Sequence, residues 1–179
     1  WWVADLAILS IGAVNVPIYA TNSAQECRYI IDNSDSIMCF AGTSEHMQKV
    51  LSVKDDLPNL KEVIVFDDLA DRKPGVTDLK SVMKEGGAYP NKNEFDERLK
   101  PIYIDDVATI IYTSGTTGNP KGVMLSHSNF VANVNQLHAV DPDFLSGDHV
   151  FLSFLPLAHS LERTVGYYAP IFLGHKVAF

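Results

Sequence analysis

Apolar and polar positions alternate along this chain in blocks that switch repeatedly between helical and extended patterns. The stretch from Trp2 to Gly12 reads as a helix, and Val14 to Tyr19, a short apolar run, as a buried strand. Ser23 then offers a side-chain cap for a helix reaching about Asn33, followed by a strand at Ile37 to Ala41. The same rhythm predicts a helix near Glu45 to Val53, a strand at Val63 to Phe66 and a short helix around Leu79 to Lys84. Val107 to Tyr112 carries no charge and no helical polar face, which suits a central strand buried on both sides. Val123 to Leu125 reads as the returning strand of a hairpin-like excursion, and Ser126 or Ser128 can cap a helix to about Val140. A strand at Val150 to Phe154 ends before Pro156. A helix from near His159 to Phe172 is closed by Gly174, and Lys176 to Phe179 begins another strand. Alternation of this kind predicts an α/β fold, a largely parallel sheet flanked by helices.

Composition narrows the class without changing that picture. The chain has 179 residues, 46% of them hydrophobic and 20% charged, which is the profile of a folded segment able to bury its own core. A net charge of −8 argues against a general nucleic-acid or anionic-membrane surface, so no nucleic-acid partner is expected. Cys27 and Cys39 are too few for a disulfide framework, and two buried reduced thiols in a cytoplasmic setting are the expectation. The longest largely apolar run, Leu6 to Val14, is far short of the ~20 residues of a membrane span. The chain opens Trp1-Trp2-Val3 without an initiator Met, and is expected to be a segment of a longer polypeptide. Charge is unevenly spread: residues 101 to 179 hold three basic and six acidic side chains, against 11 and 16 in the first hundred. The polar stretch Glu85 to Lys100 is the nearest thing to a linker.

The chemistry concentrates in Tyr112 to Gly122, which holds four Ser or Thr hydroxyls, three glycines and one lysine. Glycines let backbone amides close on an anion, hydroxyls donate further hydrogen bonds, and a lysine sets a point charge against phosphate. Thr113, Ser114, Gly115, Thr116, Thr117, Gly118, Lys121 and Gly122 are therefore the candidate phosphate-binding residues. The ordinary P-loop order is not met, because Pro120 precedes Lys121 and Gly122 follows it. The dinucleotide pattern of glycines is also missing, since Gly115, Gly118 and Gly122 are spaced by three and four. The competing reading is a plain Gly/Ser/Thr turn between two strands.

The run Ile111 to Ser126, IYTSGTTGNPKGVMLS, resembles the phosphate-binding motif of the adenylate-forming enzymes, which include acyl-CoA synthetases, peptide-synthetase adenylation domains and luciferases. Leu155 to Arg163, LPLAHSLER, is similar to the second core motif of the long-chain fatty acyl-CoA synthetase branch, and Trp2 to Thr21 looks like the helix and strand early in the same large domain. The resemblance implies that residues 1 to 179 are an incomplete portion of the N-terminal AMP-binding domain, with a C-terminal domain of the same polypeptide as partner. It implies a two-step reaction: a fatty acid carboxylate attacks the α-phosphate of ATP to give acyl-AMP and pyrophosphate, and coenzyme A displaces AMP. By the family pattern Lys121 would stabilise charge on the leaving phosphates and Thr116 would ligate magnesium, with a carboxylate expected downstream of Phe179. Peripheral membrane contact of the longer protein is left open. So are acyl chain length and the adenine pocket.

His159 falls at a place that, in the family, lies beside the fatty acid and nucleotide sites, so it is a candidate catalytic residue that orients the carboxylate or the α-phosphate. Its plainer reading is a histidine that starts a helix. Glu162 and Arg163 admit two readings as well, a site role or a Glu complementing the helix N-terminus with an Arg paired elsewhere. His46, His127, His138, His149 and His175 show no close ligand spacing, and Asp105 with Asp106 reads as a solvated strand end. The rivals to a fatty acyl-CoA synthetase are an enzyme adenylating an aryl or amino acid, a non-catalytic nucleotide-binding module, and a structural domain that binds no phosphate.

Overall fold

The computed structural model describes residues 1–69, 74–90, 93–113, 119–140, 142 and 147–179. The chain divides into two compact units: residues 1–11 with 20–100, and residues 12–19 with 101–179.

In the first unit, helix α1 covers Trp2–Ser10 and helix α2 Ala24–Asn33. The start of α2 is set by a capping box. Ser23 accepts the Glu26 amide, and the Glu26 carboxylate accepts the Ser23 amide at 2.7 Å and its hydroxyl at 2.8 Å. Strand β1, Met38–Ala41, leads into α3, Ser44–Leu51, whose first turn is capped by Thr43. Strand β2, Glu62–Val65, returns parallel to β1, with Cys39 opposite Val63 and Ala41 opposite Val65. Val63, Ile64 and Val65 are all buried, the continuous apolar run that a strand covered on both faces requires. On its other edge β2 pairs in parallel with β3, Val76–Asp78, so the order is β1-β2-β3. Asp78 then caps α4, Leu79–Gly87, by accepting the Ser81 amide. The stretch expected to be a linker holds α5, Asn93–Leu99, after the end of α4. Its Arg98 and Glu94 pair one turn apart at 2.7 Å, an i,i+4 contact that suits an exposed helix.

The second unit is built on strand β4, Val107–Thr113, and strand β5, Lys121–Ser126, paired antiparallel. A register shift separates the Val107 and Thr109 pairings, so β4 carries a bulge at its start. Residues 14–19 do not form the expected strand: only Asn15 bridges, in parallel, to Thr109. Two residues on stands Pro17, which has no N–H to give a ladder, so the contact stays a single bridge. Asn15 makes that bridge count. Its amide donates to the Ala108 carbonyl, and its carbonyl accepts from the Ile110 amide and the Thr109 hydroxyl.

Helix α6, His127–Val140, follows β5 directly. Asn129 Oδ1 accepts both the amide and the hydroxyl of Ser126, which ties the last residue of the strand to the first helical turn. Strand β6, Val150–Leu152, pairs in parallel with β7, Lys176–Ala178, and both are shorter than the sequence pattern suggests. The expected helix between them is present with a different winding. Glu162–Tyr168 is π-helical and continues into α7, Ala169–Leu173, which Gly174 ends in the left-handed conformation at φ 72°. Among the described residues, β1-β2-β3 and β6-β7 pair in parallel and the β4–β5 hairpin antiparallel.

Candidate functional site

The hairpin fixes what stands at the mouth of the Gly/Ser/Thr segment. Thr113 and Lys121 are opposite each other at the last pair of the ladder, so their side chains share a face of the hairpin, and both are exposed. Alternation along the strands puts Thr109, Ile111 and Thr113 on that face of β4, with Leu125, Val123 and Lys121 opposite them on β5. A hydroxyl and an ammonium thus flank the two ends of the segment 114–120. Ser114, Gly115, Thr116, Thr117 and Gly118 lie outside the described residues.

Gly122 has a local reason to be glycine. It pairs with Tyr112, and a Cβ at its position would fall 2.7 Å from Ile110 Cγ2 and 3.2 Å from Tyr112 Cζ. Its φ is not in the left-handed region, so close side-chain approach, not backbone freedom, excludes a larger residue. That crowded face is the one opposite to Thr113 and Lys121.

His159 stands exposed at the start of the helix that contains the π segment. Its amide donates to the Pro156 carbonyl at 2.8 Å, and its carbonyl accepts the Arg163 amide at 3.0 Å. Its ring caps the helix as well: Nδ1 accepts the Leu161 amide at 3.2 Å. In the neutral ring the proton is then on Nε2, which leaves a donor for a ligand. The helix-start contact therefore uses Nδ1 and not Nε2.

Both acid and base in the next turn are buried. Glu162 accepts the Ser153 hydroxyl at 2.6 Å and lies against Gly166, where a Cβ would overlap its carboxylate. Arg163 has no exposed surface. Its Nη1 donates to Thr109 Oγ1 at 2.7 Å and its Nε to Tyr168 Oη at 3.1 Å, while the guanidinium lies 5.3 Å from the Phe130 ring and 5.4 Å from that of Tyr168. Of the two readings open from the sequence, the Arg is indeed paired elsewhere. One of its partners, Thr109, is 54 positions away in the chain, and no local pattern announces it.

Between α6 and the π-helical segment lies an open cleft of about 390 Å³. Leu125, Phe130, Leu137, Leu161 and Val165 give it apolar walls. Polar groups at its edge are engaged locally: the Thr164 hydroxyl donates to the Ser160 carbonyl, and the Asn133 amide to the Asn129 carbonyl. Leu125 belongs to the same hairpin face as Lys121, and Leu161 follows His159 by two residues. The cleft was not anticipated from sequence, because its walls come from three elements.

Elsewhere, Asp106 caps its own turn by accepting the Tyr103 amide at 2.8 Å, in keeping with a solvated strand end. Among the described residues no group of three or more His, Cys, Asp or Glu side chains could hold a metal ion. No helix among them is long and apolar enough to cross a membrane. Cys27 is buried as expected, whereas Cys39 is half-buried as a residue with its thiol group turned inward; both are free thiols. Desolvation raises both, and pushes Cys39 up to about 12.

Residues 1–179 match the family model described as AMP-binding enzyme. A long-chain-fatty-acid–CoA ligase of Mycobacterium bovis is 39% identical over 165 residues, covering 92% of this chain and 26% of the relative. One of Xenopus laevis is 32% identical over 187 residues, covering 100% of this chain and 24% of the relative. The chain thus spans about a quarter of the length of these curated relatives. Among solved structures, an anthranilate CoA ligase in complex with anthranoyl-AMP superposes with a TM-score of 0.75 at 20% identity, covering 98% of this chain and 32% of that one. A red-emitting luciferase of Phrixothrix hirtus gives 0.74 at 24% identity, over 97% and 32%. Those two likenesses establish the α/β fold as that of adenylate-forming enzymes. With its entire length matched, the chain belongs to the AMP-binding enzyme family.

Proposed function

We propose that this chain is part of the AMP-binding domain of an enzyme that activates a long-chain fatty acid with ATP and transfers the acyl group to coenzyme A. The observation that carries the reading is the hairpin mouth. Thr113 and Lys121 face the same side across the Gly/Ser/Thr segment, and that side of the hairpin runs down to an apolar cleft. One end of this surface suits polyphosphate and the other suits a hydrocarbon chain.

In the first step a carboxylate oxygen of the fatty acid forms a bond to the α-phosphorus of ATP. The bond from that phosphorus to the bridging oxygen breaks, and pyrophosphate leaves. Lys121, the Thr113 hydroxyl and the donors of residues 114–118 would stabilise the charge that builds on the β and γ phosphates. ATP enters as its magnesium complex, with Thr116 as the chain's proposed contact to the ion. The Nε2–H of His159 would donate to the carboxylate or to an α-phosphate oxygen, its direction fixed by the Nδ1 cap on Leu161. In the second step the sulfur of coenzyme A attacks the acyl carbonyl and AMP departs. The relatives named as long-chain-fatty-acid–CoA ligases support the choice of acid.

The test is exchange of labelled pyrophosphate into ATP by the intact polypeptide, with palmitate, benzoate-type acids and amino acids compared. Fatty-acid-dependent exchange is expected. Exchange driven only by aryl or amino acids, or magnesium-ATP binding without exchange, would refute it.

A further inference from the structure

Two parts of the candidate chemistry hang on separate elements: the phosphate segment follows β4, and His159 opens the helix that continues through the π segment. One buried side chain spans them. Arg163, whose amide is bonded to the His159 carbonyl, reaches β4 through the 2.7 Å bond to Thr109 Oγ1. Thr109 passes the constraint on, because its hydroxyl donates in turn to the Asn15 carbonyl at 2.7 Å. The other side of the guanidinium is held by Tyr168, five residues on, and by the ring of Phe130 from α6. An i,i+5 pair lines up on one face where the winding is that of a π-helix, which is the winding of Glu162–Tyr168. Thr109 and Thr113 share a face of β4, four residues apart, so the anchor point sits roughly 13 Å from the mouth of the phosphate segment on the side that Lys121 also faces.

We propose that Arg163 is a positioning residue for adenylation, resting on the function proposed above: through Thr109 it sets the distance between the His159 end of the helix and the hairpin mouth at Thr113 and Lys121. Arg suits the task because its rigid fork holds two oxygens in fixed directions while its faces stack on aromatic rings. Lys would keep the charge and lose the geometry.

The experiment compares Thr109→Val, which removes the acceptor while keeping the shape, with Thr109→Ser, which keeps it, both in the intact polypeptide. Fatty-acid-dependent pyrophosphate exchange is read per folded molecule. Thr109→Val is expected to lower kcat about tenfold with KM for ATP and for fatty acid moved less than about threefold, and Thr109→Ser to stay within about twofold of wild type. Because the constraint acts through His159, Thr109→Val introduced into His159→Ala should cost less than about twofold more. Should Thr109→Val fail to fold, Arg163→Lys is expected to give the same split between kcat and KM. Independent, multiplying losses from Thr109→Val and His159→Ala would assign Thr109 and Arg163 to structure alone and overturn the proposal. So would a Thr109→Val enzyme within about twofold of wild type. Absence of exchange in the wild type would overturn the adenylation reading itself and the proposal with it.

Discussion

Replacing Gly122 by Ala tests whether this position is set by packing on the face turned away from Lys121. The added Cβ would stand 2.7 Å from Ile110 Cγ2 and 3.2 Å from Tyr112 Cζ, where carbon atoms rest at roughly 3.5 to 4.0 Å. Ile110 must therefore give way by about 1 Å, or the hairpin must open. Overpacking of this kind costs about 1–3 kcal/mol. Against it stands a gain of ~0.4–1 kcal/mol from a less flexible unfolded chain, which applies because the φ of Gly122 is accessible to Ala. The net expectation is a loss of ~1–2 kcal/mol, or a midpoint lowered by roughly 2–8 °C. Thermal unfolding followed by circular dichroism measures it. The cause is isolated by adding Ile110→Ala: if the clash is with Ile110, the double variant should lose less than the sum of the single ones by more than ~0.5 kcal/mol. An unchanged Gly122→Ala midpoint, or additive losses, would refute the packing argument and return Gly122 to a direct role at phosphate.

Lys121→Ala should leave stability within ~0.5 kcal/mol, since the residue is exposed, yet lower pyrophosphate exchange more than about tenfold; activity within about twofold of wild type would remove Lys121 from the site. The Ser23 amide and hydroxyl hold the Glu26 carboxyl below its ordinary 4.5, so the stability it gives α2 is full above that value and is lost as pH falls through the depressed one. The stability difference between wild type and Glu26→Gln should accordingly shrink on acidification, and a constant difference down to about pH 3 would contradict the assignment. With Cys39 pushed up to about 12 from 9.0, its thiolate is about a thousandfold scarcer than in an ordinary thiol. Iodoacetamide should label it in urea and spare it in the folded protein; native labelling within about tenfold of the unfolded rate would count against that.

Elements written into short stretches of sequence were the legible ones. Ser23 and Glu26 announce the start of α2 because both halves of the capping box lie within four positions, and Gly174 announces the end of α7 because only a left-handed residue closes it there. Val14 to Tyr19 misled, since its apolar run says strand while Pro17 and the single bridge at Asn15 confine it to one contact. Strand β3 was invisible: three residues, one of them Asp78, become a strand only because β2 lies alongside. The candidate phosphate segment could be read because its chemistry is contiguous. Thr109, Arg163 and the walls of the cleft could not, because each acquires its meaning from a partner dozens of residues away.

Asn15 and Thr109 are 94 positions apart, and that separation governs the order in which the chain can acquire its structure. The second unit is discontinuous, with residues 20–100 of the first unit intervening between its two pieces. During synthesis at ~5–20 residues per second, Asn15 waits roughly 5 to 20 seconds for Thr109 to be made. The strands β1, β2 and β3 lie entirely in that interval and can pair before it ends. Folding them first shortens the effective loop that the Asn15 bridge has to close, and so lowers its entropic cost. Residues 12–19 are thus expected to close late, and a defect in the core of β2, such as Val63→Ala, should slow the acquisition of amide protection at Asn15 and Ile110 in pulsed hydrogen exchange; unchanged rates would refute that order.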